Sequence, residues 1–135
     1  MSDAALDQIK GYLREYSSIK YQEEKAAIVV EPTDPTGFKV SFALDGKFYH
    51  LVCGSWHHHF GKAEKDEAIS CFMRSLTKEY RVMEMLRGKF PYKWSLQRQT
   101  ENGWQTVQET GLLFFPFWLK KNTRYFQNNW IRRDK

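Results

Sequence analysis

Cysteine is scarce in this chain. Cys53 and Cys71 are the two it has, too few for a disulfide framework or for a cysteine-built zinc site, and both read as small buried residues. Long apolar runs are missing too. The longest, residues 112–119, falls far short of the ~20 residues a helix needs to cross a bilayer, so no membrane span is expected. The opening MSDAALDQIK carries neither the basic nor the apolar region of a secretion signal, which makes the cytoplasm the expected compartment. Signatures of catalysis are equally thin. Gly54-Ser55 lacks the second glycine of a nucleophile elbow, and Gly61-Lys62 lacks the spacing of a phosphate-binding loop. No carboxylate pair stands apart from the charged faces. The expectation is a protein that is not an enzyme and holds no cofactor.

What is present argues for one folded unit. A chain of 135 residues with 41% hydrophobic and 16% aromatic content has enough apolar surface to offset ordering entropy, and no linker or repeat divides it. It reads as a single α+β domain, residues 1–135. The net charge of +5 is unevenly placed. Residues 119–135 hold Lys120, Lys121, Arg124, Arg132, Arg133 and Lys135 against Asp134 alone, whereas basic and acidic residues balance in the rest of the chain.

Periodicity suggests the elements. Leu6, Ile9, Leu13 and Tyr16 follow helical spacing. Residues 26–31, AAIVVE, form a β-branched run closed by Pro32. Phe38, Val40, Phe42 and Leu44 alternate with polar or small neighbours as in a half-buried antiparallel strand. Asp45-Gly46 then suggests a hairpin pairing Phe42 with Tyr49 and Val40 with Leu51, which sends Cys53 inward and His50 outward. After Gly61 the stripe Ile69, Phe72, Met73, Leu76, Tyr80 and Met83 predicts one long helix stopped by Gly88 and Pro91. Asn102-Gly103 marks a second hairpin, LLFFPF a buried apolar run, and Tyr125, Phe126 and Trp130 a basic amphipathic helix. The expected order is α-β-β-β-α-β-β-α: an antiparallel sheet of about five strands with a long helix on one face. In that order the chain resembles the small secretion chaperones; the resemblance implies an α+β fold and no function, since those proteins are typically acidic.

Two constellations could carry function. His57 and His59 with Glu64 offer two imidazoles and a carboxylate, a ligand set for a divalent metal. The H-x-H followed by Glu resembles the first motif of cupins, which implies metal binding by those residues. The second is the basic aromatic end: Trp104, Lys120, Lys121, Arg124, Tyr125, Trp130, Arg132 and Arg133, where cations meet phosphates or carboxylates and rings stack. The reading this favours is a small binding or adaptor domain for an acidic protein or a nucleic acid. The alternatives are a metal-dependent enzyme or sensor at the histidines, or a small-molecule pocket lined by Phe42, Tyr49, Trp56, Phe72 and Phe114. Apolar surfaces of this kind could equally close a homodimer.

Overall fold

The computed structural model describes residues 4–16 and 18–131; Arg132 and Arg133 lie outside them. Helix α1 (Ala4–Arg14) turns Ala5, Leu6, Ile9 and Leu13 inward, a stripe set by their spacing of three and four residues. Five strands follow as an antiparallel meander: β1 (Tyr21–Glu24), β2 (Ala27–Val30), β3 (Val40–Asp45), β4 (Phe48–Cys53) and β5 (Trp56–Gly61). A 3-10 turn (Lys62–Glu64) leads into α2 (Lys65–Arg74). The remaining strands are β6 (Tyr80–Arg87), β7 (Phe90–Thr100), β8 (Gly103–Gly111) and β9 (Lys121–Phe126). They build a second antiparallel sheet in the order β8-β7-β6-β9.

The α+β class and the antiparallel sheet with a helix on one face stand, but the strands expected in one sheet of about five are divided between sheets of five and four, and the helix is not long. The assignment of segments differs, for identifiable reasons. The β3–β4 hairpin pairs Phe42 with Leu51 and Val40 with Cys53, two residues from the expected register, because the turn is Gly46-Lys47 with positive φ on Gly46 only. Such a type II′ turn needs glycine at its first central position. A shift of two preserves side-chain parity, so Val40, Phe42, Tyr49, Leu51 and Cys53 are all buried as expected. Gly54-Ser55 repeats the device: Gly54 has φ 62°, Cys53 pairs with Trp56, and the histidine run is a strand instead of a junction.

The expected long helix ends at Arg74. Ser75 Oγ donates to Phe72 O (2.6 Å) and Thr77 Oγ1 to Arg74 O (2.7 Å), while Glu79 N donates to Thr77 Oγ1 (3.0 Å). These hydroxyls occupy carbonyls that a continuing helix would have used. Beyond them Tyr80, Val82, Glu84 and Leu86 are buried and alternate with partly exposed neighbours. An inward glutamate and two methionines mask that period of two. Gly88 does not cap a helix; it opens the β6–β7 turn with φ 61°. The expected C-terminal helix is β9 paired to β6, so the element order of the secretion chaperones is not followed.

One core joins both sheets. The inner face of β2–β5, the stripes of α1 and α2, and Tyr80, Val82 and Leu96 belong to a single buried cluster. Trp56, 1% exposed, sits at the junction and donates Nε1–H to Gln108 O of β8 (3.0 Å). Behind it the chain end is clasped by Asn128, which is fully buried. Its Nδ2 donates to Phe38 O (2.9 Å) and Ser75 O (3.4 Å), and its Oδ1 accepts from Phe38 N (3.1 Å). Any Cβ on Gly37 would collide with that Oδ1. Removing the amide strands the buried Phe38 backbone groups, and each orphaned group costs about 1–3 kcal/mol. Asn128→Ala should therefore lower the free energy of unfolding by that order, read as a lower urea midpoint with an unchanged m-value; a midpoint equal to that of the parent chain contradicts the clasp.

Candidate functional site

The Gly54-Ser55 turn sets the histidines. With Cys53 opposite Trp56, His50 falls opposite His59 and Val52 opposite His57. Trp56, His58 and Phe60 point to the core side, and His57 and His59 to the other side with His50. His50 stacks on His59 with ring centroids 4.2 Å apart and planes 10° apart, and His57 stands edge-on to His50 at 5.6 Å. One ring nitrogen from each of the three lies within 4.8 Å of the others. Burial, followed by the neighbouring His59 and His57, holds the pKa of His50 below its ordinary value against the opposing pull of Asp45. A lowered pKa leaves that imidazole neutral at neutral pH. Its Nε2 is shielded from solvent and has no hydrogen-bond partner.

Glu64 is not part of this group. Its Oε1 accepts from Gly61 N (3.0 Å) at the start of the 3-10 turn, and its charge acts on His58, on the core side of β5. Of the expected set His57, His59 and Glu64, the structure brings His57 and His59 together with His50 and places Glu64 apart from them. The signal was in the sequence: a two-residue Gly-Ser turn puts residues 50 and 59 opposite each other.

The expected basic aromatic residues occupy several places. Trp104 and Tyr125 flank Arg81, whose guanidinium carbon lies 4.1 Å from each ring centroid, while its Nε donates to Gln97 Oε1 (2.7 Å). Stacked cations of this kind shield ring faces. Arg124 grips Glu84 Oε1 through Nε (2.9 Å) and Nη2 (2.6 Å), and Trp94 Nε1–H takes Glu84 Oε2 (2.8 Å). Trp130 docks on the body, donating Nε1–H to Glu31 O (2.8 Å) and its backbone N–H to Leu76 O (2.9 Å). Lys120 and Lys121 are exposed at the start of β9.

The segment before those lysines is the largest departure from expectation. Strands β8 and β9 are opposite edges of one sheet, about 14 Å apart at the usual strand spacing. Residues 112–120 must cross the end of the sheet over the β6–β7 turn. Phe115 stacks on Tyr92 at 4.1 Å, and Leu112 N donates to Tyr92 O (2.8 Å). Leu119 packs over Gly88, where a Cβ would meet it at 3.0 Å. Gly88 N donates to Lys120 O (2.6 Å), and Asn122 Nδ2 to Gly88 O (3.1 Å). The side chains between these anchors have nothing above them: Leu113 is 90%, Phe114 88%, Phe117 68% and Trp118 73% exposed. The run expected to be buried thus projects from the sheet end. Its border is cationic, with Lys89, Lys120 and Lys121 exposed and Arg87 partly so, and no acidic residue occurs between Glu109 and Asp134.

The suggested aromatic pocket does not form. Phe42 packs against Tyr49 at 5.4 Å and Phe72 at 5.8 Å within the core, and Phe114 lies out on the loop. Both cysteines are buried and free. Burial pushes the Cys71 thiol up to about 12 and raises Cys53 strongly as well, which withholds the nucleophilic thiolate. Comparison of the chain with protein-family models, with curated proteins and with solved structures finds no match in any of them. Alkylation by iodoacetamide in mildly alkaline buffer should leave both thiols unmodified in the folded chain and modify both in urea. Rapid modification of either one without denaturant contradicts the burial described.

Proposed function

We propose that this chain is a non-enzymatic binding domain that docks peripherally on an anionic bilayer surface through residues 112–121. The observation that carries the proposal is an anchored loop that leaves four large apolar side chains exposed, with Lys89, Lys120 and Lys121 exposed beside it and no acid in the sequence from 110 to 133. Patches of this kind on a small domain mark interaction surfaces. The chemistry favours a lipid layer. Phe, Trp and Leu enter the boundary between headgroup and acyl chain, and each nearby lysine adds about 1 kcal/mol on an anionic leaflet. Beside the loop an open concavity of about 500 Å³ has an apolar floor of Met85, Tyr92, Leu112 and Phe115, with Lys121 also lining it and Lys93 there held by Glu109 (2.8 Å). That combination suits a lipid phosphate above its glycerol. Nucleic acid is less well served, because Arg81 shields Trp104 and Tyr125 and Glu84 holds Arg124. The preference for a polyanion read from the basic chain end is retained, and its centre moves to the loop.

Co-sedimentation of the full chain with phosphatidylserine–phosphatidylcholine vesicles tests this against phosphatidylcholine alone. Binding should require the anionic lipid and weaken with salt. The pair Phe114→Ser and Trp118→Ser should weaken binding at least ~150-fold, given ~1.5–3 kcal/mol for each ring buried. The pair Lys120→Glu and Lys121→Glu should weaken it at least ~25-fold, about fivefold for each lysine lost. Circular dichroism should be unchanged in both, since these side chains are exposed. The proposal is overturned by failure to bind anionic vesicles, by undiminished binding of the serine pair, or by a stable dimer that covers the loop. It is equally overturned if the serine pair instead abolishes salt-sensitive binding to single-stranded DNA or to an acidic protein.

A further inference from the structure

The outer face of β4 and β5 points to a separate site. We infer that His50, His57 and His59 bind one zinc ion. Three observations converge on it. The three imidazoles come from two adjacent strands whose pairing is fixed by a two-residue turn, so their backbones are already placed. One ring nitrogen from each lies within 4.8 Å of the other two. The Nε2 of His50 is shielded and lacks a hydrogen-bond partner, so a lone pair or proton there is uncompensated by protein.

The chemistry of the donors selects the ion. Neutral imidazole suits zinc, copper and nickel, whereas magnesium and calcium demand oxygen ligands. Zinc accepts three histidines in a tetrahedral arrangement and leaves its fourth position to water. On an open sheet face that fourth position meets solvent. Tetrahedral zinc with bonds of 2.0–2.1 Å needs nitrogens about 3.3 Å apart, inside the 4.8 Å limit within which all three now lie. His50 and His59 are also stacked nearly parallel, which directs their in-plane lone pairs side by side. Binding therefore requires His59 to leave its stack and swing toward His57. Both of those side chains are exposed, so a change of staggered rotamer gives up only the ring contacts of His59 with His50 and Phe48 on the open face. Glu64 is outside the site, its Oε1 taken by Gly61 N.

Calorimetric titration of chelator-treated, tag-free full chain with zinc chloride tests the inference. One equivalent should bind, and His50→Gln, His57→Gln and His59→Gln should each weaken binding by at least about tenfold, while Glu64→Gln and His58→Gln leave it unchanged. Cobalt substituted for zinc should give the intense visible absorption of a tetrahedral ion, lost in the His50→Gln chain. Urea midpoints of the three glutamine variants should match the parent, because the replaced rings face solvent or the sheet's outer side. The inference is overturned if no saturable zinc binding occurs, if His50→Gln binds as the parent does, or if Glu64→Gln loses binding as His57→Gln does. Vesicle binding through residues 112–121 is independent of every one of these outcomes, so the two sites stand or fall separately.

Discussion

Strands β8 and β9 are hydrogen-bonded to different neighbours at opposite edges of one sheet, and nine residues have to join them across its end. That requirement governs the character of the whole molecule. Nine residues fully extended reach about 30 Å, roughly twice the gap, so the connection has slack to bow outward while its ends are held. Tyr92 and Gly88 supply the holding points, through ring stacking at Phe115 and through the backbone pairing of Gly88 with Lys120. Glu84 reinforces one flank, since its carboxylate ties β9 to β6 and β7 through Arg124 and Trp94. A loop anchored so firmly, with leucine and aromatic side chains between its anchors, presents an apolar ridge as a fixed feature of the surface.

The first sheet obeys a different constraint. Its strands meander, and two consecutive two-residue turns with glycine first, at Gly46 and Gly54, leave no freedom of register. The same alternation that drives Leu51, Cys53, Trp56 and Phe60 into the core places His50, His57 and His59 together outside. Core packing and histidine placement are thus one consequence of one pairing. A single-residue slip would put the imidazoles against α1 and α2 and the aromatics in water, which makes the outer cluster as durable as the core. The two candidate sites lie on separate sheets, joined through the core at Trp56, Val82 and Leu96.

The parts of this fold legible in the sequence were those where one local rule acted alone. The alternation of Phe38, Val40 and Phe42 and the first helix emerged directly, because polar and apolar residues separated cleanly. Gly88 misled because glycine both ends helices and opens hairpins, and the stripe through Leu76, Tyr80 and Met83 satisfied helical spacing by coincidence with a strand alternation of Tyr80, Val82, Glu84 and Leu86. The buried Glu84 reads as a surface residue until Arg124, forty positions later, is brought to it. The histidine set was within reach, since Gly54-Ser55 carried the needed register, and Glu64 drew attention only by nearness in sequence. The exposure of Phe114 and Trp118 was not legible at all: an apolar run announces burial, and only the topology of β8 and β9 places it beyond the last layer of structure.

Hydrogen–deuterium exchange with and without phosphatidylserine-containing vesicles tests the central claim most directly, since it reports which backbone meets the lipid. Slowed exchange confined to residues 112–121 and the adjoining Gly88-Lys89 turn, with β1 to β5 unchanged, is the predicted result. Unchanged exchange across the loop, or protection that appears instead on the five-stranded sheet, contradicts the account.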